Sequence, residues 1–323
     1  MKYKLARTFV AVLLLASAVA ECADPHATTA PIRIWGHGHR GQDYILTLLR
    51  AWETAYRAQH PEATFDNQLT GNASAMGGLW TGSADLALMD REASFIEEDG
   101  YEQGTGHKPF GVAVARGSVS TPHHAPALVL YVNPANPLAG LSMEQVDALF
   151  DADHRLAPAR IRRWGDLGLS GAWSDKAITL YSLPILSNTL QAFERNAMKG
   201  SQKFSCCLHT RTTAAELTAA LQADRFGIAL SDAVLPGMKA LALSAGQHDA
   251  VTPAAASIIS GSYPLGRSIF LYCNRKPNEP LPPQVADFMR FIVSDQGQAI
   301  ALHTGGYLPL SPEAAALARE ALQ

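Results

Sequence analysis

Between residues 69 and 91 the chain reads Leu69-Thr-Gly-Asn-Ala-Ser-Ala-Met-Gly-Gly-Leu-Trp-Thr-Gly-Ser-Ala-Asp-Leu-Ala-Leu-Met-Asp-Arg91. A strand end, a turn of small residues, a short helix and an apolar run follow one another without a break. Gly71 allows the turn to bend, and Asn72 or Ser74 is predicted to cap a helix that starts near Ala73. The unpaired N–H groups of a first helical turn carry the positive end of the helix dipole, so this turn is predicted to attract an anion.

The apolar run from Leu86 to Met89 predicts a buried parallel strand that ends at Asp90 and Arg91. In an open α/β sheet, ligands bind beyond the carboxyl ends of the strands, so both side chains are candidates for a binding site. An ordinary capped helix followed by surface charges has the same pattern, and this stretch by itself leaves that alternative open.

The first hundred residues repeat a strand, a turn and a helix, which predicts the start of a doubly wound α/β fold. A strand at 32–36 leads into the loop His37 to Asp43, and a second strand is predicted over 63–69. Residues 92–109 are predicted to be a connection. The helix between the two strands has an apolar face with helical spacing, formed by Ile45, Leu49, Trp52 and Tyr56.

A second polar turn, Leu183-Pro-Ile-Leu-Ser-Asn-Thr189, follows a strand at 178–182 and precedes a helix predicted over 190–198. Two helix N-termini on different domains can close on one oxyanion from opposite sides, which is the geometry of a hinged binding cleft. The remaining predicted elements are strands at 110–115, 125–132, 226–231 and 263–272, and helices at 141–150 (N-cap Ser142), 214–222, around 285–293 and from Pro312.

Composition fits a globular protein of two domains and argues against a nucleic-acid partner. The chain has 323 residues, of which 47% are hydrophobic and 17% charged, and its net charge is -3. No basic run and no interleaved basic and aromatic patch is present in the sequence.

The N-terminus predicts an export signal, because basic residues precede the apolar segment Phe9 to Ala20, which ends in small residues. Cleavage after Ala20 gives a periplasmic protein without membrane insertion. Lipid attachment at Cys22 is the alternative, although Glu21 stands where such cysteines usually have a small neighbour.

The cysteines do not predict a particular set of disulfide bonds. Cys22, Cys206, Cys207 and Cys273 allow three disulfide connectivities, and none is favoured. No C-x-x-C motif occurs, so neither a redox motif nor a structural zinc site is supported.

The sequence also leaves a metal site open, because His37 and His39 form a His-x-His pair with Asp43 nearby. Only two imidazoles are supplied locally, so we expect this loop to line the cleft without holding a structural metal.

Ser74 and Ser187 have no adjacent general base in sequence, and no Gly-x-Ser-x-Gly motif is present. No catalytic residue and no cofactor are therefore predicted.

Several short motifs follow one another in an order and spacing that together are fairly specific, although each alone is weak. They are Thr70-Gly-Asn-Ala-Ser-Ala, Ala84-Asp-Leu-Ala-Leu-Met-Asp-Arg91, Val132-Asn-Pro-Ala-Asn-Pro-Leu138, Leu141 to Phe150, Arg163-Trp-Gly-Asp166, Ser187-Asn-Thr-Leu-Gln-Ala-Phe193, Ser262-Tyr-Pro-Leu-Gly-Arg267, Phe291-Ile-Val-Ser-Asp-Gln-Gly-Gln298 and Gly306-Tyr-Leu-Pro-Leu310. With these motifs, residues from about 32 to 311 resemble the periplasmic phosphate-binding proteins that feed ABC importers.

The resemblance implies an α/β fold with two lobes, a hinge and an interlobe cleft, as in type II periplasmic binding proteins. Lobe 1 is expected to comprise residues 32–132 and 250–323, and lobe 2 residues 133–249. The implied function is that of a monomeric periplasmic protein that clamps a small oxyanion, phosphate or an analogue, or another polar solute, and passes it to an ABC permease.

The resemblance also implies ligand contacts at both polar turns. Ser74 matches a serine that binds the oxyanion, and Asp90 matches an aspartate that accepts a hydrogen bond from protonated phosphate. Ser187 and Thr189 match the family's Ser-Gly-Thr turn. The full set of expected ligand-binding residues is His37, Gly38, His39, Asn72, Ser74, Asp90, Arg91, Ser187, Asn188 and Thr189.

Three positions depart from the family pattern: Leu183 replaces an arginine, Asn188 replaces a glycine, and Gly36-His-Gly-His39 replaces a loop rich in hydroxyls. Loss of the arginine removes several charge-assisted bonds at once. Arg91 or Arg40 is the candidate to supply the missing charge, and His37 or His39 contributes to it when protonated. The open alternatives are a binding protein with an altered or lost ligand that acts as a sensor or envelope partner, a phosphatase-like enzyme and a metal-binding protein.

Overall fold

The computed structural model describes residues 30–38, 44–157 and 159–323, so the predicted export signal and Cys22 lie outside the described residues. No helix in these ranges combines the length and the apolar character needed to cross a bilayer. The strands are β1 Ile32–Gly36, β2 Phe65–Leu69, β3 Leu86–Met89, β4 Phe110–Arg116, β5 Val129–Val132, β6 Gly140–Ser142, β7 Thr179–Ser182, β8 Leu208–Thr210, β9 Gly227–Ser231, β10 Lys239–Ala240, β11 Ala242–Ser244 and β12 Ser268–Cys273. The helices are α1 Tyr44–Arg57, α2 Asn72–Trp80, α3 Phe95–Thr105, α4 Met143–Phe150, α5 Asn188–Ala197, α6 Ala214–Ala223, α7 Ala255–Ile259, α8 Pro283–Ile292, α9 Asp295–Thr304 and α10 Pro312–Ala321.

The first sheet has the strand order β2-β1-β3-β12-β4, in which β1 pairs in parallel with β2 and β3. The returning strand β12 lies antiparallel between β3 and β4. Strand β3 is apolar throughout because it is covered on both faces. Leu86 and Leu88 pack into the core with α1 and α8, whereas Ala87 and Met89 pack against α2 and α3.

The second sheet has the order β10-β5-β9-β7-β8, and β11 pairs with β6 in a separate two-stranded sheet. The five-stranded sheet has its own apolar core, in which Leu130, Leu180 and Ile228 are buried in one cluster with Phe193 of α5. Its other face packs against α6 through Leu217. Each sheet therefore forms a lobe with an independent core.

Two chain segments, 117–128 and 260–267, run side by side between the lobes. Gly117 N donates to the carbonyl of Arg267 at 2.9 Å, and Leu128 N donates to that of Leu265 at 3.0 Å. The Tyr263 hydroxyl donates to the Leu128 carbonyl at 2.8 Å. These paired crossings are the hinge of the two-lobed fold, and they carry the chain out of the first sheet and back to it.

The sheets divide the chain at slightly different positions from those that the sequence predicts. Strand β5, which the sequence assigns to lobe 1, pairs with β9 and β10 in the second sheet. Tyr263 and Leu265, also assigned to lobe 1, pack in the core of the second sheet. The reason is that apolar side chains on both crossings are buried against that core.

The connection predicted at 92–109 contains helix α3, so that prediction is wrong. Ser94 Oγ accepts from Glu97 N at 3.3 Å, and the Glu97 carboxylate accepts from Ser94 N at 2.7 Å. This reciprocal capping box fixes the start of the helix. Two glycines, Gly100 and Gly104, lower the helix propensity of the segment. For this reason the amino-acid composition did not indicate a helix.

Candidate functional site

A cavity of about 680 Å³, here called the cleft, lies between the lobes. Both polar turns identified in the sequence border it, so the N-termini of α2 and α5 meet at one cavity. The first lobe contributes His37, Gly38, Thr70, Gly71, Asn72 and Arg91, and the second contributes Leu186, Asn188 and Gln191.

Helix α2 is capped by the backbone of Gly71 rather than by a side chain, so the prediction of an Asn72 or Ser74 cap is wrong. Gly71 has φ 143°, which residues with a β-carbon rarely adopt. Ser74 Oγ donates to the Gly71 carbonyl at 2.8 Å and shares a hydrogen bond with Thr70 Oγ1 at 2.7 Å. With the side chains engaged elsewhere, the N–H groups of the first turn remain available to a ligand.

The loop after β1 passes close to the end of β2. His37 N donates to the Leu88 carbonyl at 2.7 Å, and a β-carbon on Gly38 would lie 2.3 Å from the Leu69 carbonyl oxygen. Glycine is therefore required where this loop borders the cleft. His39, with Arg40 and Asp43, lies outside the described residues.

The His37 imidazole sits beside Asp90, with 3.4 Å between Nε2 and Oδ2. Burial lowers the pKa of His37 more strongly than the Asp90 carboxylate raises it, and nearby Arg267 lowers it further. The imidazole is therefore neutral at pH 7 and offers a polar rather than a charged group to the cleft.

Asp90 is only 4% exposed and does not line the cleft. Its Oδ1 accepts from Asn72 Nδ2 at 2.6 Å, and its Oδ2 accepts from Arg267 Nη2 at 2.8 Å. Burial on its own raises the pKa of Asp90, but the charge of Arg267, the charge that His37 gains when it is protonated at low pH, and the bond from Asn72 bring it below its usual value. Asp90 is thus a buried, neutralised carboxylate behind the cleft wall.

Arg267 is the residue that inspection of the sequence missed. Besides Asp90, it approaches Asp232 of the second lobe, with 3.7 Å between Nη1 and Oδ2. Asp232 in turn accepts from Thr189 Oγ1 at 2.5 Å. A guanidinium on the hinge therefore links both polar turns, while Leu183 packs against an apolar cluster. The available signal was the motif ending in Arg267.

Arg91 lines the cleft but is held by a carboxylate of its own lobe. It is 3% exposed and forms a fork on Glu97, with 2.7 Å and 2.9 Å between the nitrogens and the carboxylate oxygens. Burial raises the pKa of Glu97, but the bonds and charge of Arg91 lower it below its usual value. The two side chains form one rigid, ionised pair at the rim of the cleft.

In the second polar turn, Asn188 lines the cleft, Ser187 caps the helix, and Thr189 donates to Asp232. Ser187 is the N-cap of α5 and its Oγ accepts from Leu190 N at 3.3 Å. Of the predicted ligand residues, Ser74, Asp90, Ser187 and Thr189 do not line the cleft, because their polar atoms are used inside the protein. His37, Gly38, Asn72, Arg91 and Asn188 do line it.

Within the described residues, no three His, Cys, Asp or Glu side chains converge as metal ligands. Cys206 and Cys207 are exposed free thiols whose Sγ atoms lie 3.7 Å apart, and Cys273 is a buried free thiol.

Comparison with known proteins gives consistent matches. Residues 40–296 match the family described as the PBP superfamily domain. The phosphate-binding protein PstS of Pseudomonas aeruginosa, in two strains, is 31% identical over 281 residues, which is 85% of this chain and 83% of the relative.

Two solved structures share the fold. An ABC-type phosphate transport receptor from Vibrio cholerae has a TM-score of 0.55 at 18% identity and covers 87% of this chain and 100% of its own. PstS from Borrelia burgdorferi has a TM-score of 0.57 at 15% identity, and the match covers 88% of this chain and 100% of the Borrelia chain.

Proposed function

The chain belongs to the PBP superfamily, and from that membership we propose that it is a periplasmic phosphate receptor that clamps the anion between its lobes for an ABC importer. One observation carries the proposal: the N-termini of α2 and α5, one from each lobe, open on the same cleft. Two helix dipoles and their free N–H groups favour a small anion over an apolar ligand.

The proposed contacts are those that the cleft offers. The N–H groups of Asn72 and Ala73, the guanidinium of Arg91 and the amide of Asn188 donate hydrogen bonds, and neutral His37 adds a polar edge. His39 remains a predicted contact. Asp90 acts indirectly in this proposal, because it fixes the Asn72 side chain and anchors Arg267.

This arrangement bears on ligand choice. A free carboxylate in the cleft selects for an anion that carries its own proton, because it repels fully deprotonated sulfate. Both oxygens of Asp90 are engaged and its charge is offset by Arg267. A carboxylate that faced the ligand would give a strong preference for phosphate over sulfate. Because Asp90 is engaged inside the protein, we expect a weaker preference.

Binding without chemical conversion is proposed, since the relatives' names describe binding proteins and receptors. Export through a cleaved signal is part of the same proposal. Mass spectrometry of the mature N-terminus tests it, and an intact Met1 or a lipid-modified Cys22 contradicts cleavage after Ala20.

The test of function is calorimetry on ligand-stripped protein with phosphate, sulfate and a neutral polar solute. Asn188→Asp keeps the shape of the side chain and suits the first turn of a helix, but it places a carboxylate in the cleft. We expect phosphate affinity to fall at least about tenfold, because like charges in a desolvated site repel strongly.

Asn274→Asp, the same exchange at an exposed position, is the matched control and is expected to bind like the wild type. Equal phosphate binding by both variants contradicts the assignment of the cleft. Failure of the wild type to bind any of the three solutes favours the alternative of a protein that has lost its ligand.

A further inference from the structure

A second cavity of about 280 Å³ lies at the hinge, on the other side of Arg91 from the cleft. We call it the hinge pocket and define it by Arg91, Arg116, Arg195, Tyr263, Arg267 and Ser268. Arg91 and Arg116, the last residue of β4, come from the first lobe, and Arg195 comes from α5 of the second lobe. Arg267 lies on the hinge, beside the end of β4. Among the described residues, four guanidinium groups and one carboxylate, that of Glu92, therefore line one small cavity.

Three of the four arginines are already paired. Arg91 is held by Glu97 and Arg267 by Asp90. Arg195 contacts Glu98 at 2.7 Å and Glu92 at 2.9 Å, so the one carboxylate of the lining is itself occupied.

Arg116 is different, because no carboxylate within the described part of the chain pairs with it. Its Nη1 donates to Ser268 Oγ at 2.7 Å, and its buried Nε has no hydrogen-bond partner in the described ranges. The side chain is partly buried, and that burial lowers its pKa. A guanidinium offers five donors and stays charged, so a partly buried one with one side-chain acceptor is expected to recruit an anion.

The neighbouring groups reinforce this expectation. The Nε atoms of Arg91 and Arg267 are also buried, and neither has a hydrogen-bond partner among the residues that the structure describes. On Gly261, a β-carbon would lie 3.2 Å from Arg116 Nη2, so the absence of a side chain there leaves space beside the guanidinium.

We propose that the hinge pocket is a second anion site, specific for a small inorganic oxyanion such as sulfate or phosphate, with Arg116 as its principal ligand. This goes beyond the proposed function, because the pocket lies outside the cleft and shares only Arg91 with it. Its volume accommodates one such ion with a few waters, since a water occupies about 30 Å³ in the liquid. An ion there contacts both lobes and the hinge at once.

Crystals of the mature protein soaked in selenate, the heavier analogue of sulfate, locate the ion directly by its anomalous scattering. We expect a selenium peak beside Arg116 in the wild type and none in Arg116→Met. The absence of a peak in the wild type overturns the proposal, and so does a peak of equal height in the variant, which marks an adventitious ion only.

Calorimetry with sulfate on the Asn188→Asp protein favours detection of the hinge pocket in solution, because the added carboxylate weakens anion binding in the cleft. We expect residual sulfate binding that Arg116→Met weakens about tenfold or more, the loss expected for a charge-assisted bond. Arg50→Met, at an exposed arginine of α1, is the control and is expected to change nothing.

Arg116→Lys covers the case in which Arg116→Met does not fold. It keeps the charge but not the planar fork, so we expect sulfate to bind more weakly than in the wild type. Residual binding that is unchanged in Arg116→Lys contradicts a principal contact at this side chain.

Discussion

Asp90 shows how one buried carboxylate can organise a site that it does not line. Its two oxygens hold Asn72 at the start of α2 and Arg267 on the hinge. Arg267 approaches Asp232, which holds Thr189 at the start of α5. Five side chains in a row, from Asn72 to Thr189, therefore connect the two polar turns behind the cleft.

Replacement of Asp90 by asparagine is expected to destabilise the protein strongly, because it leaves the buried guanidinium of Arg267 without its main counter-charge. Breaking a buried ion pair costs about 3 to 5 kcal/mol. Urea denaturation at pH 7 measures the change in the free energy of unfolding. Asp66→Asn, at an exposed aspartate of β2, is the control, and an equal effect of both variants contradicts the role given to Asp90.

The pH dependence of stability has a defined sign. The pKa of Asp90 is lower in the folded protein than in the unfolded chain, where it is about 3.9. Its contribution is therefore complete above that pH and is lost as the pH falls towards the folded pKa. We expect the stability difference between the wild type and Asp90→Asn to shrink below about pH 4.

The pairing of Asp90 with Arg267 also marks a limit of sequence interpretation. The two residues are separated by 177 positions, and no local pattern relates them. Sequence spacing predicted that Asp90 ends a buried strand at the ligand edge, but only the return of β12 beside β3 brings Arg267 to it. Arg91, the nearer candidate for the missing charge, is instead drawn to Glu97 by the start of α3.

Among the elements, helices α4 and α5 have serine caps whose contribution to stability can be tested directly. Each begins at a serine whose hydroxyl accepts from a backbone N–H of the first turn, at 3.2 Å for Ser142 and 3.3 Å for Ser187. Of these two helices, α5 has its N-terminus at the cleft and α4 does not.

Serine-to-alanine substitutions at the two caps are expected to separate stability from binding. Ser142→Ala and Ser187→Ala should each lower the free energy of unfolding by about 1 kcal/mol, because one N–H group of the first turn loses its acceptor. Phosphate affinity should fall only in Ser187→Ala, whose helix start loosens beside the ligand. Thermal unfolding and calorimetry on both variants test this. Weakened phosphate binding in Ser142→Ala as well contradicts a local role of the α5 cap.

The elements that the sequence predicted well are those with a strong local signal. The apolar run Leu86 to Met89 predicted both ends of β3. The N-cap Ser142 and the apolar stripe that follows it predicted α4. Helix α3 was missed because its interior glycines outweighed the pattern Ser94-x-x-Glu97, which is the signature of a capping box. The lobe to which β5 belongs depends on which core buries its side chains. The residues of β5 and their neighbours in sequence do not show which core that is.

At the scale of the whole molecule, Arg195 of α5 bridges the lobes away from the cleft. It contacts Glu92 and Glu98 of the first lobe and lies over the Phe95 ring, 4.4 Å from its centroid. Burial by itself lowers the pKa of Arg195, but the bonds to both carboxylates raise it above its usual value. The guanidinium is 17% exposed and Glu98 is 15% exposed, so this contact is shielded from solvent better than a surface ion pair.

Removal of this bridge is expected to favour the open arrangement of the lobes. In Arg195→Met without ligand, the two carboxylates of the first lobe lose their partner across the hinge, so the lobes separate more readily. Small-angle X-ray scattering should give a larger radius of gyration than for the wild type, and saturating phosphate should restore the wild-type value, because a ligand held by both lobes favours closure. Arg290→Met is the matched control, since Arg290 pairs with Asp287 within α8 and touches one lobe only. A radius of gyration in Arg195→Met equal to that of the control means that the hinge crossings alone set the lobe arrangement.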